Sequence, residues 1–169
     1  MILIKRSLNS YILQAVKTFM QLVAESLHNV EELMPWDLEE TLQASSGVVL
    51  LDIREPYEFE AMHIAGSINV PRGILESACE YDYEETEPTL AEARHQAIVI
   101  ICRSGLRSVL AADVMQKMGF ENVKSLKTGL RGWSDYDQEL VDKNCDPVDE
   151  DTAIDYFTPR LRPEQLSKK

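Results

Sequence analysis

A cysteine, two arginines, a serine, a glycine and a leucine stand between a β-branched apolar run, Ile98-Val99-Ile100-Ile101, and a helical segment from Ser108 to Met118. The run reads as a buried strand, so Cys102 falls at its carboxyl end and faces a helix N-terminus. An open α/β sheet places its ligands at that edge, and backbone N–H groups and the helix dipole favour an anion there. The same field favours thiolate over thiol, which makes Cys102 a candidate nucleophile. Arg103 and Arg107 flank it, and a guanidinium is costly to bury without an anion or a carboxylate partner. Gly105 lets the backbone fold tightly enough to aim several N–H groups inward as an anion-binding nest. The plainer alternative is a core cysteine at a strand end, behaving as a small hydrophobe.

Elements alternating along the chain must position this loop. Pro35 to Ala44 reads as a helix with acids near its positive end, Val48 to Leu51 as the first buried strand, and Pro56 to Ala61 as another short helix. Ser67 to Val70 reads as a short strand, Gly73 to Ala78 as helical, Glu80 to Pro88 as an acidic loop and Thr89 to Arg94 as a helical turn. Gly119 ends the helix after the cysteine loop, Val123 to Leu126 forms a further strand, and Gly129 to Leu140 reads as a loop leading into a last helix. Strands alternating with helices predict an α/β fold with a mainly parallel sheet. Three parts are expected: an amphipathic helical extension over 1–29, a domain over 30–140, and an acidic, extended tail over 141–169.

The 169 residues carry a net charge of −12, unevenly spread. Residues 25–100 sum to −14 and residues 101–133 to +4, so a positive site segment sits in an acidic body. That pattern suits a small anionic substrate and argues against nucleic acid, which calls for a broad basic face. No apolar run is long enough for a transmembrane helix. Three cysteines, Cys79, Cys102 and Cys145, are too few for a disulfide framework, which points to a reducing, cytoplasmic setting. No CxxC or Cys/His cluster suggests a metal, and no cofactor is expected.

The N-terminal stretch places Leu8, Ile12, Ala15, Phe19, Leu22 and Leu27 near one helical face with no acid before Glu25. A targeting or membrane-surface helix, a helix docking on the domain or on a second copy to form a homodimer, and translation starting at Met20 are all compatible with it.

Four segments come in an order that resembles the single-domain form of the rhodanese-like sulfurtransferase family: Leu50-Leu51-Asp52-Ile53-Arg54-Glu55-Pro56-Tyr57-Glu58-Phe59, then His63-Ile64-Ala65-Gly66-Ser67-Ile68-Asn69-Val70-Pro71, the cysteine loop, and Thr128-Gly129-Leu130-Arg131-Gly132-Trp133. The resemblance covers roughly residues 30–140 and departs at Met62, where the family commonly has glycine, and in an acidic insertion around residues 79–92. It implies a parallel sheet of about five strands flanked by helices, with a six-residue loop from Cys102 to Arg107. It also implies a Cys102 thiolate that takes the outer sulfur of thiosulfate or a persulfide donor as a cysteine persulfide, then passes it to cyanide, a thiol or a protein cysteine. Arg103 and Arg107 would bind donor oxygens, Ser104 could add a hydroxyl donor, and Gly105 and Leu106 complete the substrate-binding loop. Ser108 is read equally as a hydroxyl donor or a helix cap. Asp52 and Arg54 are supporting residues, read as an ion pair bracing the loops, although Asp52 could instead orient an active-loop arginine. His63 and Trp133 are read as structural, and Cys79 and Cys145 as bystanders. Phosphatases of the same fold carry their arginine at Cys plus six, whereas here it falls at Cys plus five, making a smaller cradle. The other alternative is a non-enzymatic binding or regulatory module, or a persulfide carrier for a partner protein.

Overall fold

The computed structural model describes residues 16–44 and 47–167. Its centre is a five-stranded, wholly parallel sheet in the order β1-β5-β4-β2-β3, formed by β1 (Glu31–Leu33), β2 (Val49–Asp52), β3 (Ile68–Asn69), β4 (Ala97–Ile101) and β5 (Asn122–Leu126). Strand β1 was not among the expected strands, because Glu31 and Glu32 mask a three-residue edge strand as a helix approach. It pairs with β5, and its two acids pair with Lys124 and Lys127. Among the described residues the α-helices are α1 (Phe19–Ser26), α2 (Pro35–Ala44), α3 (Pro56–Ala61), α4 (Leu75–Ala78), α5 (Pro88–Ala91), α6 (Leu106–Lys117), α7 (Gly129–Asp135) and α8 (Glu150–Phe157).

Strand alternation splits the core into two layers. Leu51, Ile98, Ile100 and Val123 face α1, α4, α5 and α6, whereas Leu50, Val99, Ile101 and Leu126 face α2, α7 and α8. Cys102 continues the first set, one step beyond the end of β4, and so points beneath α6. The carboxyl ends of β2, β4 and β5 lie side by side, with Asp52 in register with Ile101. The loops after these three strands therefore share one edge of the sheet, as the alternation of elements requires.

Helix α1 begins later and faces differently than expected. Thr18 and Gln21 form a capping box that starts it, and Val23 and Ser26 are its buried positions, while Phe19, Leu22 and Leu27 are exposed. Leu8, Ile12 and Ala15, and most of the stretch assigned to an N-terminal extension, lie outside the described residues. The C-terminal segment is not extended throughout, because α8 occupies Glu150–Phe157 within it. Asp149 caps α8 through its side chain, and Ala153 and Phe157 are buried against Leu130, Trp133 and Leu140. Its apolar residues recur at helical spacing within an acidic stretch, and α7 with the residues after it supplies the surface that fixes them. Val141 links the same region to His63 and Pro147 through isolated bridges.

Met62 needs no glycine: it is buried in extended backbone that any residue adopts, and its carbonyl accepts from Arg54. The insertion around 79–92 is anchored by buried Cys79 and Leu90 on the α6 side of the sheet. His63 donates from Nδ1 to the Phe59 carbonyl and stacks on the Phe59 ring, and Trp133 donates to the Glu139 carbonyl from within the core, so both are structural.

The buried Asp52–Arg54 pair ties β2 to α3. Arg54 Nη2 and Nε reach the Asp52 carboxylate at 2.7 Å and 3.0 Å, and Nη1 and Nη2 also donate to the carbonyls of Glu58 and Met62. Asn69 joins this brace by donating to the backbone carbonyls of Asp52 and Arg54. With both partners wholly buried, removing one leaves an uncompensated charge in the interior. Arg54→Ala should therefore cost about 3–5 kcal/mol of stability, measured by urea unfolding.

Candidate active site

The cysteine loop is a strand-to-helix turn whose backbone is forced by its neighbours. Gly105 adopts φ +85° and caps α6, and a Cβ there would lie 2.8 Å from the Thr128 nitrogen. Gly129, at φ +60°, is closer still: a Cβ would sit 2.4 Å from the Cys102 carbonyl oxygen and 2.6 Å from the Ser104 nitrogen. This contact lets the start of α7 abut the loop. Leu130 N–H donates to the Cys102 carbonyl at 2.8 Å, and Arg131 N–H donates to the Arg103 carbonyl at 3.1 Å. With those carbonyls satisfied on the α7 side, the loop amides are left to turn toward the sulfur.

Two backbone donors and one hydroxyl surround Cys102 Sγ. Gly105 N–H lies at 3.2 Å, Ser108 N–H at 3.4 Å and the Ser108 hydroxyl at 3.3 Å. Ser108 is thus a first-turn residue of α6 in contact with the sulfur, and Gly105 is the cap. Its hydroxyl also meets the Gly105 carbonyl and, at 2.8 Å, the hydroxyl of Ser125 on β5. Cys102 has no exposed surface, so a reactant reaches Sγ only when a rim atom gives way. Leu106 packs on the core under α6, and Ser104 is exposed.

The two arginines do not point their hydrogens at Sγ. Arg107 donates through Nη1 and Nη2 to the two carboxylate oxygens of Glu58, both at 3.2 Å. Arg103 donates through Nη2 to the Tyr156 carbonyl at 2.9 Å, and its guanidinium lies over the Tyr156 and Phe157 rings. Asp52 spends its carboxylate on Arg54 and not on an active-loop arginine. Burial works against ionisation of Glu58, but the Arg107 hydrogen bond and charge, the Glu55 backbone N–H and Arg54 outweigh it and hold the carboxyl below its ordinary range. Burial likewise opposes the Arg107 charge, and the Glu58 hydrogen bond and charge, then Cys102 and Asp52, outweigh it and raise that group. Burial pushes the Cys79 thiol up to about 11, against the pull of Arg94, and places it as a core residue. Cys145 sits on an exposed turn.

Glu58, Ser125, Tyr156 and the backbone of Leu130 and Arg131 were missing from the sequence-derived site. A sequence signal existed for two of them. A flanking arginine demands a carboxylate, and a serine on the inward face of an apolar strand demands a polar partner. Among the described residues no group of three His, Cys, Asp or Glu side chains is placed to hold a metal, and no helix is long and apolar enough to cross a membrane.

A thiol facing two amide donors and a hydroxyl at the carboxyl edge of a parallel sheet defines an α/β protein built around a cysteine loop. The chain belongs to the rhodanese-like domain family, whose model matches residues 35–136. A mitochondrial protein of Schizosaccharomyces pombe named a "putative thiosulfate sulfurtransferase" is 33% identical over 103 residues, covering 59% of this chain and 72% of that protein. The "putative sulfur carrier protein YrkF" of Bacillus subtilis is 31% identical over 66% of this chain, which spans 55% of the length of YrkF. Among solved structures, a protein of Rhodopseudomonas palustris described as of unknown function and a possible tyrosine phosphatase superposes with TM-score 0.67 at 30% identity, over 73% of this chain and 93% of that one. A thiosulfate sulfurtransferase of Pseudomonas aeruginosa shares the fold at TM-score 0.61 and 22% identity, over 82% of this chain and 26% of that one.

Two outcomes follow from this geometry. Gly129→Ala should displace the loop backbone, lowering the melting temperature and speeding alkylation of Cys102 by iodoacetamide, because both the positive φ and the backbone clash oppose a Cβ. Glu58 has a lowered carboxyl pKa, so its contribution to stability is complete above the ordinary carboxylate range and is lost as pH falls through the lowered value. A melting-temperature series against pH should show that acid limb, and Glu58→Gln should flatten it.

Proposed function

We propose that this protein is a sulfurtransferase that moves a sulfane sulfur from thiosulfate or a persulfide donor to a thiophilic acceptor, cyanide or a thiol, through a persulfide on Cys102. One observation carries the reading: Gly105 N–H, Ser108 N–H and the Ser108 hydroxyl all surround Sγ at the head of α6. The Cys102 thiolate attacks the outer sulfur of the donor, that S–S bond breaks, and the leaving group departs with its electron pair as sulfite or a thiolate. The new terminal sulfur is itself anionic, and the same donors and helix dipole stabilise it. A second nucleophile then attacks that sulfur and regenerates the Cys102 thiolate, a two-step displacement with ping-pong kinetics.

The similarity to YrkF favours a second reading in which the persulfide is carried to a partner protein's cysteine and not released to a small acceptor. The chemistry at Cys102 is the same in both cases, and only the acceptor differs.

Intact-protein mass spectrometry after brief exposure to thiosulfate or a persulfide should show a gain of one sulfur, about 32 Da, that cyanide removes and Cys102→Ala abolishes. No gain from either donor would overturn the enzyme reading and favour the binding module. Hydrolysis of a phosphoaryl ester that is lost in Cys102→Ser would favour a phosphatase instead.

A further inference from the structure

We propose that Glu58 and α8 together act as a charge filter over Cys102, disfavouring dianionic donors and selecting the persulfide of a low-molecular-weight thiol over thiosulfate. This deepens the sulfurtransferase reading and rests on it. Two arginines beside a thiolate would ordinarily draw a dianion, since a guanidinium fork matches oxyanion geometry. Here each guanidinium already has a partner of its own. Arg107 is paired through both terminal nitrogens with Glu58, and the pair is half-screened from solvent, with 35% of the Arg107 side chain and 9% of the Glu58 side chain exposed. Arg103 is turned toward α8, where the Tyr156 carbonyl and the faces of two aromatic rings supply partial negative charge. The Asp52–Arg54 pair adds no net charge.

The formal charges around Sγ therefore cancel once the thiolate is counted: two arginines oppose Glu58 and the sulfur. Thiosulfate brings two further negative charges toward that neutral cluster. A persulfide R–S–SH brings none, or one when ionised. The Cys102 thiolate bonds to the terminal sulfur of R–S–SH, the donor S–S bond breaks, and R–S⁻ leaves with the electron pair. Cys102 then holds S–SH, which loses its proton to solvent. No external oxidant or reductant is consumed. Helix α8 lies outside the residues 35–136 that match the family, so the grip on Arg103 comes from a segment beyond the shared domain.

The test measures sulfur loading of Cys102 in the full chain, by quenched-flow mass spectrometry, from thiosulfate and from a cysteine-derived persulfide. Each rate is scaled to the same donor's rate with a free small thiol. The wild-type protein should favour the persulfide. Glu58→Gln keeps the side chain's shape and removes one charge. It should raise loading from thiosulfate roughly tenfold, the scale of removing one charge near a dianion. Persulfide loading by the same variant is the internal reference, so the readout is the donor ratio and not either rate alone. Sulfate at matched ionic strength should leave persulfide loading of the wild type unaffected, a readout that needs no variant. The proposal falls if scaled wild-type loading from thiosulfate equals or exceeds that from the persulfide, if the Glu58→Gln donor ratio is unchanged, or if sulfate competes strongly in the wild type. Absence of loading from both donors would instead overturn the sulfurtransferase reading itself.

Discussion

The cysteine loop holds its shape because another helix start is pressed against it. Leu130 and Arg131, in the first turn of α7, donate the N–H groups that α-helix geometry leaves unpaired to the carbonyls of Cys102 and Arg103. Those carbonyls would otherwise be orphaned where β4 ends. One exchange thus satisfies the start of α7 and the end of the strand, and frees the loop amides to face Sγ. Gly129 makes the approach close enough, because any Cβ would collide with the loop backbone. The nest around the sulfur is therefore built by two segments some 25 residues apart in the chain, brought together by the parallel pairing of β4 with β5.

Charge is handled by enclosure. Asp52 and Arg54 lie wholly inside, and all three guanidinium nitrogens of Arg54 donate to the carboxylate or to one of two carbonyls, which is the condition under which a buried pair is tolerated. Arg107 and Glu58 repeat the arrangement nearer the surface, where solvent screens them in part. Arg54 also donates to the backbone carbonyl of Glu58, so the inner pair fixes the turn of α3 that carries the outer carboxylate. The two ion pairs form one connected brace between the ends of β2 and β4.

The second face of the sheet shows how far the molecule extends past its matched domain. Phe157 and Ala153 close over Leu130 and Trp133, and in doing so bring Tyr156 to Arg103. Burial and the charge of Glu58 keep the Tyr156 phenol protonated above its ordinary range, with Arg54 and Arg103 opposing. A neutral aromatic ring, not a phenolate, therefore lies under the guanidinium.

Local patterns are legible where a residue's fate depends on its immediate neighbours. The β-branched run before Cys102, the glycine after it and the amphipathic residues of α6 set the strand, turn and helix without reference to distant contacts, and the four motif segments give the order of the parallel fold. The resemblance to the rhodanese-like family rested on those same segments. Tertiary structure alone decided which charges meet. The demand of Arg107 for a carboxylate is readable, but among 29 acidic residues the choice of Glu58 depends on where β2 and β4 place their loops. It also decided the fate of the C-terminal segment, whose composition reads as solvated chain. A short acidic helix gains its stability from the surface it covers, and no sequence window contains that surface.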